Sequence, residues 1–379
     1  MKIADLKVYS VAARRTNWVF VEVETDEGLT GLGEATNYPG SDLVAAAALR
    51  LKDRLVGEDP RDIDRLWQKL FRQFTYLGSR GLVCSLIGAV DIALWDLKGK
   101  AVGRPVFDLL GGAHRNPVPL YTHVQGGAPR ESAAHAKQLV AEGWAALKTD
   151  PFHGSMPGFG TNYVNGHISP EGVEKGAEII AAIREAVGPK IEILIDAHGC
   201  YNVASALRVA KALQPYNIGW LEEPLPPESL QALRQVREAA GVPICVGERL
   251  FTRWDFAPIF ESRAADYIMP DVIRTGGISE LRKICTMAEA YCVPVSPHDA
   301  NGPINILAGS HVMASVPNCY RVELASAGLE LYNAVLDRPL EIREGAIWLS
   351  DRPGLGVSLN HDYVKAHPAD PTPRPGFHV

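Results

Sequence analysis

The stretch from Ile191 to Glu248 holds one pattern three times: IEILIDAH (191–198), IGWLEEP (218–224) and VPICVGE (242–248). Each is a short apolar run that closes on a carboxylate. The three acids are Asp196, Glu222 and Glu248, with 26 residues from each to the next. Helical stretches flank the runs, such as SPEGVEKGAEIIAAIREAVG (169–188) and SALRVAKALQPY (205–216). Apolar strands alternating with helices imply a parallel sheet covered by helices. Outward from this core the rhythm continues in VPLYTHV (118–124), AALKTD (145–150), ADYIMPD (265–271), CVPVSPH (292–298) and YRVE (320–323). Eight such strands fit an α/β fold closed as a (β/α)₈ TIM-type barrel. An open doubly wound sheet shares this rhythm, but no GxGxxG turn follows the first strand.

The first 115 residues read differently. WVFVEVETDEGLTGLGEA (18–35) predicts two strands around a bend at Asp26-Glu27-Gly28. Ser41 to Phe74 and Leu82 to Lys100 then read as amphipathic helices. Strands followed by helices predict an α+β capping domain. Gly111-Gly112 and Pro117 mark its end. The expected division is 1–115 capping domain, 116–330 barrel, and 331–379 a segment that packs back on the capping domain. One βα connection is long: Pro151 to Ser169 holds four glycines and two prolines. Such a loop at the catalytic end of a strand reads as a lid or as a structural excursion.

Composition narrows the function. Hydrophobic residues make up 46% and charged residues 22% of the 379, as in an ordinary globular protein. The net charge of -6 argues against a nucleic-acid partner. No run reaches the roughly 18 apolar residues that would suggest a membrane span. The opening MKIADLKVYS has no apolar leader region. The six cysteines are scattered without a CxxC pair and read as buried thiols of a cytoplasmic protein.

The strand ends carry the chemistry. Three carboxylates around one barrel mouth repel unless neutralised. A hard divalent cation such as Mg²⁺ resolves this and leaves positions for substrate oxygens. Taken singly, each acid could equally be a helix cap or loop residue. Glu223 is expected to point away from Glu222 by strand alternation. Asp271 and His298 end the next two strands, 27 residues apart. A carboxylate beside a histidine fixes its tautomer and raises its basicity. Glu323 ends the eighth strand, where it could meet a substrate carboxylate as charge develops. Tyr121 and His123 end the first strand, and Lys148 and Asp150 end the second. Lys148 could lend positive charge to a substrate carboxylate or be an ordinary rim lysine. His198 shares the face of Asp196, across the barrel from His298. One histidine could take a proton while the other gives one, as β-elimination of water requires; a helix-capping role is the alternative.

Together these motifs closely resemble the enolase superfamily in its mandelate racemase subgroup, and within it acid-sugar dehydratases of the galactonate dehydratase kind. The likeness rests on ETDEGLTGLGEA, DIALWDLKGKAVGRPVFDLLGG, IDAHG, WLEEPLPPE, GERLFTRWDF, PDVIRTGGI, AEAYCVPVSPH and GPINILA. It spans essentially the whole chain. It implies a modified barrel, (β/α)₇β, with an α+β capping domain. It implies Mg²⁺ ligands at Asp196, Glu222 and Glu248, an Asp271–His298 dyad, and Glu323 beside the substrate carboxylate. His198 matches the dehydratase pattern of a histidine two residues after the first metal ligand. The expectation is a cytoplasmic homo-oligomer that dehydrates a small sugar acid, with Lys148 supporting the substrate carboxylate. Asp150, Trp18, Arg249 and Asp299 are further candidate substrate contacts. The alternative is a racemase, epimerase or cycloisomerase working through the same enediolate. Two features depart from the pattern. Lys148-Thr149-Asp150 lacks the second lysine of a Lys-x-Lys pair, which disfavours a two-base racemase, and DANGPIN (299–305) differs from the CPLGPIA-like run of galactonate dehydratases.

Overall fold

The computed structural model describes residues 1–13, 16–38, 40–152, 165–325 and 328–372. Its first unit is an antiparallel sheet of β1 (Ile3–Ala12), β2 (Asn17–Thr25) and β3 (Thr30–Glu34), in that order. The expected hairpin is β2–β3, whose turn closes with the Thr25 N–H donating to the Leu29 carbonyl at 2.9 Å. β1 lay outside the expectation. The long helix predicted over 41–74 is broken: one helix covers Ser41–Ala48, another Ile63–Gln73, with Gly57 and Pro60 between them. Gly57 has a φ of 87° and Pro60 supplies no N–H, so neither favours continuing the helix.

Strand β2 buries both faces. Val19, Val21 and Val23 pack into the capping core with Leu86, Val90 and Leu94 of the helix Leu82–Val102. That helix lies flush on β3, because Cβ atoms at Gly31 and Gly33 would lie 2.0 and 1.9 Å from the carbonyls of Ala93 and Ala89. Its opposite side joins the barrel, where the Ser279 N–H donates to Asp91 at 2.9 Å. From the neighbouring helix Ile63–Gln73, the Trp67 indole donates to the Gly276 carbonyl at 2.7 Å.

The barrel runs through parallel neighbours β4 (Val118–His123), β5 (Ala146–Thr149), β6 (Glu192–Asp196), β7 (Trp220–Glu222), β8 (Ile244–Val246) and β9 (Tyr267–Ile268). It closes where β10 (Val322–Leu324) pairs with β4, Glu323 opposite Tyr121. The remaining position, expected from CVPVSPH, is only a bridge: Val295 meets Ile268 on one side and Cys319 on the other. Pro294 and Pro297 flank it and cannot donate to a ladder. Helices follow the first seven strand positions, from Pro129–Ala141 to Pro303–Ala314. This is the (β/α)₇β order.

Beyond the barrel, β11 (Ile342–Arg343) and β12 (Ala346–Ile347) form a hairpin on the outer edge of β4. The segment also reaches the capping unit, where Val11 bridges Pro368 and the Leu355 N–H donates to Asp96. All six cysteines are free, but only four are buried; Cys292 is exposed. Among the described residues, no helix is long and apolar enough to cross a membrane.

Candidate active site

One layer of the barrel interior is filled by Tyr121, Ala146, Leu194, Trp220, Cys245 and Met269, all fully buried. Strand side chains alternate, so the residue two positions on faces the same way, one layer higher. Those residues are His123, Lys148, Asp196, Glu222 and, beyond Met269, Asp271. Ladder register places Asp196 opposite Glu222. Glu248 breaks the rule. Register pairs Glu222 with Cys245, so Glu248 lies three residues beyond its level. Gly247 makes the detour with a φ of 144°, and its N–H donates to Glu223 at 2.7 Å. Glu223 thus holds the turn that presents Glu248, although equal sequence spacing had suggested three acids in simple register.

The acids converge on cations. Lys148 is buried, with Nζ at 3.0 Å from Asp196, 2.7 Å from Glu222 and 2.6 Å from Glu323. It is not a rim lysine. Burial works against its charge, yet Asp196, Glu222 and Glu323 hold it well above the ordinary lysine range. Burial and then the charge of Asp196 hold the Glu222 carboxyl well above its usual value. Asp196 itself falls to about 2, because His198 and Lys148 overcome its burial. Glu323 also accepts from His123 Nε2 at 2.7 Å and from the Asp299 N–H at 2.9 Å.

Asp271 and His298 meet as expected. His298 Nδ1 lies 2.9 Å from Asp271 Oδ2, and its Nε2 lies 2.9 Å from Glu248. Asp271 also does what a helix cap does: Oδ1 accepts the N–H groups of Ile273 and Arg274. One oxygen fixes the backbone and the other fixes the imidazole. Burial opposes charge on His298, but Glu248, Glu323 and Asp271 hold it well above the ordinary histidine value.

His198 lies across the site in a left-handed conformation, φ 49°. Its Nδ1 is 2.9 Å from Asp150 and 3.5 Å from Asp196, and its N–H donates to Asp196 at 2.9 Å. Burial is outweighed by Asp196 and Asp150, which raise the imidazole to about 9.

The other candidates divide. Asp150 faces His198. Arg249 lies 3.4 Å from Glu248 and donates to the His198 carbonyl. Asp299 is buried and bonded to Asn305 at 2.9 Å. Trp18 lies on the opposite face of β2 from the valines, in the core on the barrel side, with its ring 5.4 Å from Tyr332. Alternation along β2 sends it there. Sequence reasoning also missed the roles of Asn301 and Asn305, whose signal was the run DANGPIN, and of Arg274, which lies in PDVIRTGGI.

A cavity of about 380 Å³ opens beside Glu248, between Arg249 and Arg274 on the barrel and Asn37, Tyr38 and Leu82 on the capping unit. Gly81 of the capping unit also lines it, whereas Arg14 and Arg15 lie outside the described residues. So do residues 153–164 of the expected lid. A larger hollow of about 490 Å³ lies among Arg237, Asp266 and Tyr267, away from all the strand-end acids.

Residues 131–363 match the enolase C-terminal domain-like family, and residues 4–111 match the mandelate racemase / muconate lactonizing enzyme N-terminal domain. The chain belongs to the enolase superfamily, in its mandelate racemase subgroup. It is 36% identical over 356 residues to a D-xylonate dehydratase of Haloferax volcanii, covering 92% of this chain and 85% of that one. It is 34% identical to a D-galactonate dehydratase of Pectobacterium atrosepticum, over 96% and 94% of the two chains. The solved mandelate racemase/muconate lactonizing enzyme-like protein of Rubrobacter xylanophilus superposes with a TM-score of 0.91 at 35% identity, covering 97% of this superfamily member and 98% of that chain.

Proposed function

We propose that this protein is a Mg²⁺-dependent dehydratase of a sugar acid, converting an aldonate or aldarate to its 2-keto-3-deoxy acid. The observation that carries the reading is the pairing of opposed histidines across one carboxylate cluster. His298 is backed by Asp271, and His198 is backed by Asp150 and Asp196. The dehydratase relatives support the substrate class.

Asp196, Glu222 and Glu248 are the residues that would hold the metal. Their chemistry fits: they are buried oxygen donors, and burial together with the charge of Asp196 holds the Glu222 carboxyl well above its usual value. Among the described residues, no three acid, histidine or cysteine groups already form a ligand cluster. Lys148, His198 and His298 stand against the acids instead. When bound, Mg²⁺ supplies Lewis-acid stabilisation of an enediolate. The protein's own groups do the rest. Lys148 and Glu323 orient the substrate carboxylate. His298 Nε2 takes the C2 proton, with Asp271 holding the ring; Glu248, the first of the acids that hold the imidazole charged, would by then be engaged by the metal. His198 gives a proton to the departing C3 hydroxyl. The enol left behind tautomerises to the keto acid. The Lys148-Thr149-Asp150 segment places no lysine two residues beyond Lys148, which favours this reading over a two-base racemase.

In this reading the protein is a cytoplasmic enzyme with a small-molecule partner. Exposed Leu43, Tyr76 and Leu77 on the capping unit offer apolar surface for a homo-oligomer. The test is a panel of aldonates and aldarates assayed for 2-keto acid, with chelator and with Mg²⁺. Turnover should vanish on chelation and return with Mg²⁺. Full activity without metal would refute the metal assignment, and inverted substrate without keto acid would establish an epimerase.

A further inference from the structure

The helix Pro303–Ala314 begins directly after the loop that carries His298, and it has no cap of its own. Its N-cap is Gly302, which has no side chain to accept a bond, and its first residue is Pro303, which has no N–H. A helix start leaves four backbone N–H groups without intrahelical partners. The proline removes one, leaving Gly302, Ile304 and Asn305, the last of which also bonds the Gly302 carbonyl at 3.2 Å. All three donate to one carboxylate from the other domain. Glu34, the last residue of β3, accepts from Gly302 at 2.6 Å through Oε1, and from Ile304 at 3.1 Å and Asn305 at 3.2 Å through Oε2. Glu34 is wholly buried.

What this helix start carries is the support of the dyad. Asn301 donates to Asp271 Oδ2 at 3.0 Å, and Asn305 donates to the same oxygen at 3.3 Å. That oxygen is the one that holds His298. Asn305 also ties Asp299 at 2.9 Å, while the Tyr332 hydroxyl donates to the Asn301 carbonyl at 2.7 Å. We propose that Glu34 is a positioning residue: by capping the 303–314 helix from the capping domain, it fixes the two asparagines that set Asp271 and thereby His298. This rests on the reading of His298 as the C2 base. The barrel's proton-abstracting pair is then complete only when the capping domain is seated.

The matched control is Asp96, another buried capping-domain carboxylate. It accepts the N–H groups of Leu32 and Leu355 and lies away from the dyad loop. Glu34→Gln, Glu34→Ala and Asp96→Asn are compared by melting temperature. They are also compared by the NMR signal of the His298 Nδ1 proton without substrate, and by kcat and KM for keto-acid formation. A cap contributes little to substrate contact, so the Glu34 variants should lose kcat by about tenfold or more, in the range of coupling within one network, with KM changed by less than about threefold. Their His298 Nδ1 signal should shift or broaden, and C2-proton exchange should fall in step with dehydration. Asp96→Asn should lose melting temperature alone. If Glu34→Ala does not fold, Glu34→Gln carries the comparison, because it keeps the volume while setting an amide donor against backbone donors. A native His298 signal and native kcat in a folded Glu34 variant would overturn the proposal. So would an equal loss in Asp96→Asn at equal melting temperature. If no sugar acid is turned over by the native protein, the functional reading fails, while the His298 signal still decides the role of Glu34.

Discussion

Along five barrel strands, the residue that fills the interior and the residue of the layer above it are two positions apart: Tyr121 and His123, Ala146 and Lys148, Leu194 and Asp196, Trp220 and Glu222, Met269 and Asp271. The lower member is aromatic or aliphatic, and the upper member is charged or titratable. The lower layer is fully buried and closes the barrel to water from below. The upper layer therefore works in a poorly screened setting, where each charge must find its complement among its neighbours. Lys148 answers three acids, and the two histidines answer the others. The comparison teaches that the plug makes the electrostatics above it strong, while the charges make the chemistry.

The largest expected break in this comparison is at His298. Asparagine keeps a polar side chain of similar reach but cannot take the C2 proton. His298→Asn should lower both keto-acid formation and C2-proton exchange in D₂O by roughly 10⁴-fold, the upper range for a general base. Proton NMR of one reaction mixture reads both. Retained exchange would move the base to another group.

A smaller and more selective effect is expected across the site. His198 has a left-handed backbone, which asparagine tolerates better than most residues. His198→Asn should keep the fold and the Asp271–His298 pair. Keto-acid formation should fall by roughly 10²–10⁴-fold while C2 exchange persists, because the acid acts after proton removal. Exchange and dehydration falling together would make His198 a support for Asp196 instead.

The same two-residue period explains what the sequence disclosed. Short apolar runs ending in Asp196, Glu222 and Asp271 are local patterns, so the barrel and most of its upper layer could be read from them. Glu248 was found by its spacing, but its route was not, since the turn depends on Gly247 and on Glu223 holding it. Which face of strand β2 carries Trp18 toward the barrel was not legible, because both faces are buried and local pattern does not tell them apart. Glu34 was missed for a different reason. Its partner Gly302 lies 268 residues away, and a carboxylate that caps another domain's helix has no signature in its own neighbourhood.

Trp220 gives the finest test of the comparison, because it belongs to both layers. Its ring packs in the plug, 5.8 Å from Tyr121 and 5.3 Å from Tyr267. Its indole N–H leaves the plug and donates to Glu222 Oε2 at 3.1 Å. That bond aims a proposed metal ligand while Lys148 takes the other oxygen. Trp220→Phe keeps an aromatic ring below but removes the donor. A hydrogen bond to a charged group contributes about 1.5–3 kcal/mol, and tenfold in affinity is about 1.4 kcal/mol. The variant should therefore need about tenfold more Mg²⁺ for half-maximal activity and recover most of its rate when Mg²⁺ saturates. Met269→Leu, a change of similar volume confined to the plug, should cost less than about 1.5 kcal/mol of stability. It should leave the Mg²⁺ requirement where it was. If both variants lose stability alike and neither shifts the Mg²⁺ titration, the indole is only part of the plug. If Trp220→Phe alone shifts it, the lower layer also helps to set the geometry of the acids above.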